Sequence, residues 1–152
     1  MSTQVKGTWT RDEIEAEFAK YREVAAAAAA SGDWRAWADL FTEDATYVEH
    51  HFGTLTGREA IFEWITKTMA DPPNSDMTSF PVEWWVIDEA KGWVVCAIQN
   101  RMRDPGDGSV HQAVNWTRLA YAGNGQWSCE EDIYNPNEFG TMIQGWFKAR
   151  TG

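Results

Sequence analysis

From Ser79 onward the chain alternates apolar and polar residues through four long segments: Phe80 to Asp88, Trp93 to Arg103, Val110 to Tyr121 and Trp127 to Tyr134. Between them lie Lys91-Gly92, Asp104-Pro105-Gly106-Asp107-Gly108 and Gly123-Asn124-Gly125, which carry the residues that tight turns require. A meander of antiparallel strands is the simplest topology. Each segment is longer than the usual strand of about five or six residues. A sheet built from such strands twists, and it must curl to bury one of its faces.

What fills that curl comes earlier in the chain. Thr10-Arg11-Asp12-Glu13 has capping-box spacing, and Ile14, Phe18, Tyr21, Ala25 and Ala28 recur at helical spacing as far as Gly32, a left-handed stop. Asp33 is placed to cap a second, short helix carrying Trp34, Trp37, Leu40 and Phe41. A strand from Ala45 to Phe52 follows. Thr56-Gly57-Arg58-Glu59 repeats the capping-box spacing before Ile61, Trp64, Ile65 and Met69, and Pro72-Pro73 ends this third helix. After the sheet, Asn135-Pro136-Asn137-Glu138 opens an amphipathic helix with Phe139, Met142, Ile143, Trp146 and Phe147. The expected fold class is α+β: N-terminal helices packed in a strongly curved antiparallel sheet, a cone-shaped half-barrel with a mouth at one end. No repeat, linker or composition shift divides residues 1–152, so a single domain is expected.

Composition narrows the function. A formal net charge of -10 without a basic stripe argues against nucleic acid and anionic lipid as partners. The N-terminal stretch from Met1 to Trp9 has no signal-like apolar core and the chain no membrane-length apolar run, which points to a cytoplasmic address. Cys96 and Cys129 read as reduced core residues, and no metal-ligand spacing or cofactor motif occurs. Ten tryptophans in 152 residues suit a wide apolar pocket or a subunit interface.

The stretches Gly32-Asp33-Trp34, Leu40-Phe41-Thr42-Glu43-Asp44-Ala45-Thr46-Tyr47 and Gly57-Arg58-Glu59-Ala60-Ile61 resemble the SnoaL-like branch of the nuclear transport factor 2-like superfamily. The exit Glu131-Asp132-Ile133-Tyr134-Asn135-Pro136 is similar to the last strand of many of its members. The superfold hosts isomerases, cyclases, dehydratases, epoxide hydrolases and binders, so the resemblance is specific for fold and poor for function. It implies a cone-shaped barrel, often a homodimer through the outer face of the sheet. By resemblance to the steroid-isomerising members, the general-base position falls on Glu49 and the oxyanion-stabilising position on Asn115. Their tyrosine position, eight residues before Asp33, is occupied by Ala25, with Tyr21 one turn earlier on the same face. By resemblance to the epoxide-hydrolysing members, Tyr47, Arg101, Asp132 and Asn115 form a loose echo without the second aspartate.

Strand alternation gives the candidate site its faces. Tyr47, Glu49 and His51 share one side of their strand and His50 takes the other; Glu130, Asp132 and Tyr134 share one side of the last strand. An inward Glu49 would be desolvated into a usable acid or base; at the strand end it would instead be a solvated carboxylate. Asp132 is expected inward, facing Glu49, or else paired with Arg101 or Arg118 across strands. His51 or His111 beside Asp132 would make a proton relay. Trp64, Met69, Phe80 and Trp85 are expected to line the pocket. The leading expectation is a cofactor-independent isomerase, cyclase or dehydratase (a lyase in the last case) for a hydrophobic small molecule. In it Glu49 or Asp132 moves a proton and Asn115 steadies the oxyanion. The alternative is a non-catalytic ligand-binding or dimerisation module.

Overall fold

In the computed structural model residues 7–151 are described. Helix α1 (Arg11–Ser31) begins after Thr10, whose Oγ1 accepts the Glu13 N–H at 3.1 Å, and stops at Gly32, where φ is 77°. Both ends follow the local chemistry read from the sequence. Helix α2 (Arg35–Ala38) is a single turn. It was expected to carry Leu40 and Phe41, but Phe41 already belongs to strand β1 (Phe41–Glu49), ahead of the predicted start at Ala45. Tertiary pairing overrides the helical spacing here: Leu40 O accepts the Trp127 N–H at 2.7 Å, and Phe41 faces Trp127 in the sheet.

The chain then turns through His50 to Phe52 into β2 (Gly53–Thr56), so the expected single strand to Phe52 is one arm of a hairpin. Helix α3 (Arg58–Ala70) is preceded by Gly57 rather than capped by Thr56, which pairs with Thr46 in the sheet. The capping-box expectation at Thr56 fails because that hydroxyl sits in a strand. The remaining strands are β3 (Met77–Ser79), β4 (Val82–Asp88), β5 (Trp93–Met102), β6 (Gln112–Gly123) and β7 (Gln126–Ile133), followed by helix α4 (Pro136–Thr151). The strand expected from Phe80 to Asp88 is broken at Phe80-Pro81 into β3 and β4, which pair with opposite ends of β5. Pro81 has no N–H to give a ladder, though its carbonyl still accepts from Gln99 at 2.8 Å.

The sheet order is β2-β1-β7-β6-β5-β3, with β4 also on β5. The meander from β4 to β7 is present and antiparallel. β1, however, runs parallel to β7, so the sheet is mixed rather than wholly antiparallel. Register shifts in β1, β4 and β6 mark places where the ladder bends, and the sheet is curved without closing. Ile14, Phe18 and Tyr21 of α1 join Val94, Cys96, Leu119 and Trp127 of the sheet in the main core. Trp84, Val86, Trp116 and Ile133 are exposed. Helix α4 has a small core of its own, in which Met142 and Trp146 meet Met102 and Ala113. No described helix is long and apolar enough to cross a membrane.

Candidate functional site

A cavity of about 470 Å³ opens between α1, α3, α4 and the sheet, a size suited to a small organic ligand. Its walls are mostly apolar, with Trp34, Trp37 and Trp64 contributing three of the ten indoles. The polar groups gather where β1 and β7 run side by side. Parallel register sets Tyr47 opposite Glu130 and Glu49 opposite Asp132, so all four side chains point the same way.

Glu130 is the buried centre of this cluster. Tyr21 on α1 donates its hydroxyl to Glu130 Oε1 at 2.6 Å, and the Tyr47 hydroxyl lies 2.6 Å from Glu130 Oε2. Tyr47 also contacts Asp132 Oδ2. A phenol has one proton and can donate to one of these carboxyls only; the other contact requires a protonated carboxyl donating to the phenol oxygen. Asn100 Nδ2 donates to Asn115 Oδ1 at 2.6 Å, Asn115 Nδ2 to Thr117 Oγ1 at 2.7 Å, and Thr117 Oγ1 to Asp132 Oδ1 at 2.6 Å. Each carboxyl thus accepts from a hydroxyl of its own, Glu130 from Tyr21 and Asp132 from Thr117, and the two share Tyr47. Beyond the burial that raises both, the Asp132 charge pushes Glu130 up while the Glu130 hydrogen bond holds Asp132 down, which makes Glu130 the one that keeps the proton. Burial pushes Glu130 well above the usual carboxylate range, and the adjacent Asp132 charge pushes it further. Burial raises Asp132 too, against the hydrogen bonds from Glu130, Thr117 and Tyr47. Burial likewise raises Tyr21 and Tyr47 well above an ordinary phenol, with the neighbouring carboxyls adding to it, so both remain donors at neutral pH.

Glu49 is buried beside the pair. Its Oε1 accepts from Tyr134 at 2.9 Å and from the His51 backbone N–H at 2.8 Å. The solvated alternative for Glu49 is therefore not the one the chain adopts. Asn115 lines the cavity, and with one Nδ2 hydrogen spent on Thr117 it retains a second. Tyr47, Trp64, Met69, Phe80 and Tyr134 line the cavity as expected, and so does His51.

Several expectations do not survive. Trp85 is outside the cavity: its ring packs on Phe18 at 5.7 Å under the Arg22 guanidinium, because β4 turns that face toward α1. His51 is exposed in the β1–β2 turn, where strand alternation no longer applies, and its ring contacts Phe52 rather than Asp132. His111 is held by Ser109 near α4, on a different side of the molecule, and His50 reaches Glu131 on the outside. No relay through histidine forms. Arg101 binds Gln112, and Arg118 stacks on Trp93 and approaches Glu131, so neither pairs with Asp132. That removes both the ion-pair alternative and the epoxide-hydrolase echo. Sequence reasoning left out Glu130 and Thr117 as site residues, although Glu130 shares the parity of Asp132, which is the signal that finds it.

The model of the family described as the SnoaL-like domain matches residues 12–128. Among solved structures, a nuclear transport factor 2-like protein from Anabaena variabilis aligns with a TM-score of 0.64 at 18% identity, covering 85% of this chain and 96% of that one. SalBIII, an epoxide hydrolase/cyclase-like enzyme of pyran ring formation in the polyether salinomycin, aligns at 0.64 and 15% identity, covering 84% and 94%. A hypothetical protein with a ketosteroid isomerase-like fold from Catenulispora acidiphila, in complex with trimethylamine, aligns at 0.59 and 25% identity, covering 83% and 88%. No curated protein matches the sequence.

Proposed function

The chain belongs to the SnoaL-like family of the nuclear transport factor 2-like superfamily, and we propose that within it this protein is a cofactor-independent proton-transfer enzyme for a hydrophobic, enolisable small molecule. Helices and curved sheet act together as a cone around the substrate. The observation that carries the reading is the pair of buried carboxyls, Glu130 and Asp132, bridged by the Tyr47 hydroxyl in the wall of an apolar cavity, both held above the ordinary carboxylate range by burial. Asp132, the carboxylate, accepts a proton from a substrate carbon, and the electron pair moves onto the substrate carbonyl oxygen. The remaining N–H of Asn115 stabilises that oxygen. Return of the proton to another carbon completes an isomerisation, while loss of a leaving group completes an elimination. Glu130 keeps its proton and, through Tyr47, tunes how strongly Asp132 binds one. Tyr21, one helical turn before Ala25, gives its hydroxyl to Glu130 and holds that carboxyl in place, so Asn115 is the donor to the substrate oxygen. Glu49 stands beside Asp132 as a second carboxylate.

The test uses 2-tetralone, a bicyclic ketone with acidic C–H bonds, in D₂O. Wild-type protein is expected to accelerate deuterium uptake, read by proton NMR, and Asp132→Asn to slow it by about 100-fold or more. Equal uptake in the two proteins would overturn Asp132 as the base.

A further inference from the structure

Arg22 on α1 is the single lysine or arginine lining the cavity among the described residues. Its guanidinium lies over the rings of Phe18 at 4.9 Å and Trp85 at 4.6 Å. It makes no ion pair among the described residues, and its Nε is buried without a hydrogen-bond partner. Ring contacts satisfy the cation's faces and leave the in-plane Nε–H without a protein acceptor. The carboxyls across the cavity are in the opposite condition: hydroxyls or backbone N–H groups of the protein supply Glu49, Glu130 and Asp132 with donors. Ala25 and Ala26, one turn further along α1, also line the wall with side chains of a single methyl.

We infer that Arg22 is a specificity residue that binds an anionic group, a carboxylate or its equivalent, on the ligand, so that the pocket prefers hydrophobic acids to neutral or cationic molecules of the same shape. Negative charge elsewhere on the protein works against anions in general, which makes the local cation decisive. The guanidinium fork fits a carboxylate with two parallel hydrogen bonds. The ligand's acid end would lie on the wall formed by α1, Phe80 and Val82, with its reacting carbon toward Asp132.

This rests on the same cavity being the ligand site, and binding can be read without catalysis. Quenching of tryptophan fluorescence would be titrated with 2-naphthoate, 2-naphthamide and 2-naphthylmethylammonium. Wild-type protein is expected to bind 2-naphthoate about tenfold or more tighter than the amide. Arg22→Met should abolish that preference, bringing acid and amide to comparable affinity, and Arg22→Lys should restore part of it. The wild-type comparison stands even if Arg22→Met folds poorly. Equal binding of acid and amide, or a preference for the ammonium probe, would overturn the role of Arg22 and leave the proton-transfer reading intact. Binding of none of the three would overturn both. Loss of deuterium exchange in Asp132→Asn with the 2-naphthoate preference retained would separate the two roles.

Discussion

The Tyr47 hydroxyl touches two carboxyls and has one proton to give, so the charge of the site is set by a single residue's valence. Titrating the side-chain carboxyl carbons by NMR should show Glu130 and Asp132 ionising in two coupled steps, both above the ordinary carboxylate range. Asp132→Asn removes the neighbouring charge and should bring Glu130 down. Both acids bind protons more tightly in the folded chain than in the unfolded one. Their contribution is therefore fully present below the unfolded carboxylate values, about pH 4, and is lost as pH rises through the raised ones. Urea denaturation across that range should show the stability of wild-type relative to Glu130→Gln falling as pH rises. A flat difference would mean that Glu130 is not protonated in the fold. At this scale the sequence was partly legible. Alternation placed Tyr47, Glu49 and Asp132 correctly, because strand parity is a local property. Glu130 was hidden by its own rarity, since a buried glutamate looks like any other until its two hydroxyl neighbours, Tyr47 and Tyr21, 83 and 109 residues away in the chain, are brought together.

Elements position these groups, and two of them depend on single residues. Gly57 precedes α3 with φ of 98° and ψ of 145°, a region essentially closed to side chains. Gly57→Ala is expected to cost about 1–3 kcal/mol in urea denaturation and, by shifting α3, to disturb Trp64 in the cavity wall. Helix α4 is fixed largely by Trp146, which is buried and donates to Arg103 O at 2.8 Å. Trp146→Ala should cost about 3–5 kcal/mol of the local packing. Hydrogen exchange should show the loss first in α4, with β5 and β6 still protected; uniform loss would mean that α4 and the sheet unfold as one unit. Helix ends at Thr10 and Gly32 were readable because caps are local chemistry. The early start of β1 at Phe41, the hairpin at β2 and the break at Pro81 were not, since each is decided by which strand lies alongside.

Across the whole molecule, the exposed face of the sheet carries Trp84 and Trp116 in edge-to-face contact at 5.4 Å, with Val86 and Ile133 nearby. We propose that a second copy of the chain covers this face, as the tryptophan content led us to expect. Light scattering at micromolar concentration should give a dimer mass, and Trp116→Glu should give a monomer. An interface of about 1,200 Å² or more in total is expected. The pairing of β1 with β7 also has a kinetic meaning. Tyr21 and Glu130 are 109 residues apart in the chain, and Tyr47 and Asp132 are 85 apart. Contacts that distant must wait for nearly all of the domain to emerge from the ribosome, and closing so large a loop makes folding slow. The acid pair itself is local to β7, and its contacts with Tyr21 and Tyr47 form only when β7 docks beside β1 under α1. A nascent chain that lacks β7 lacks both Glu130 and Asp132, so the polar end of the cavity exists only in the nearly finished fold.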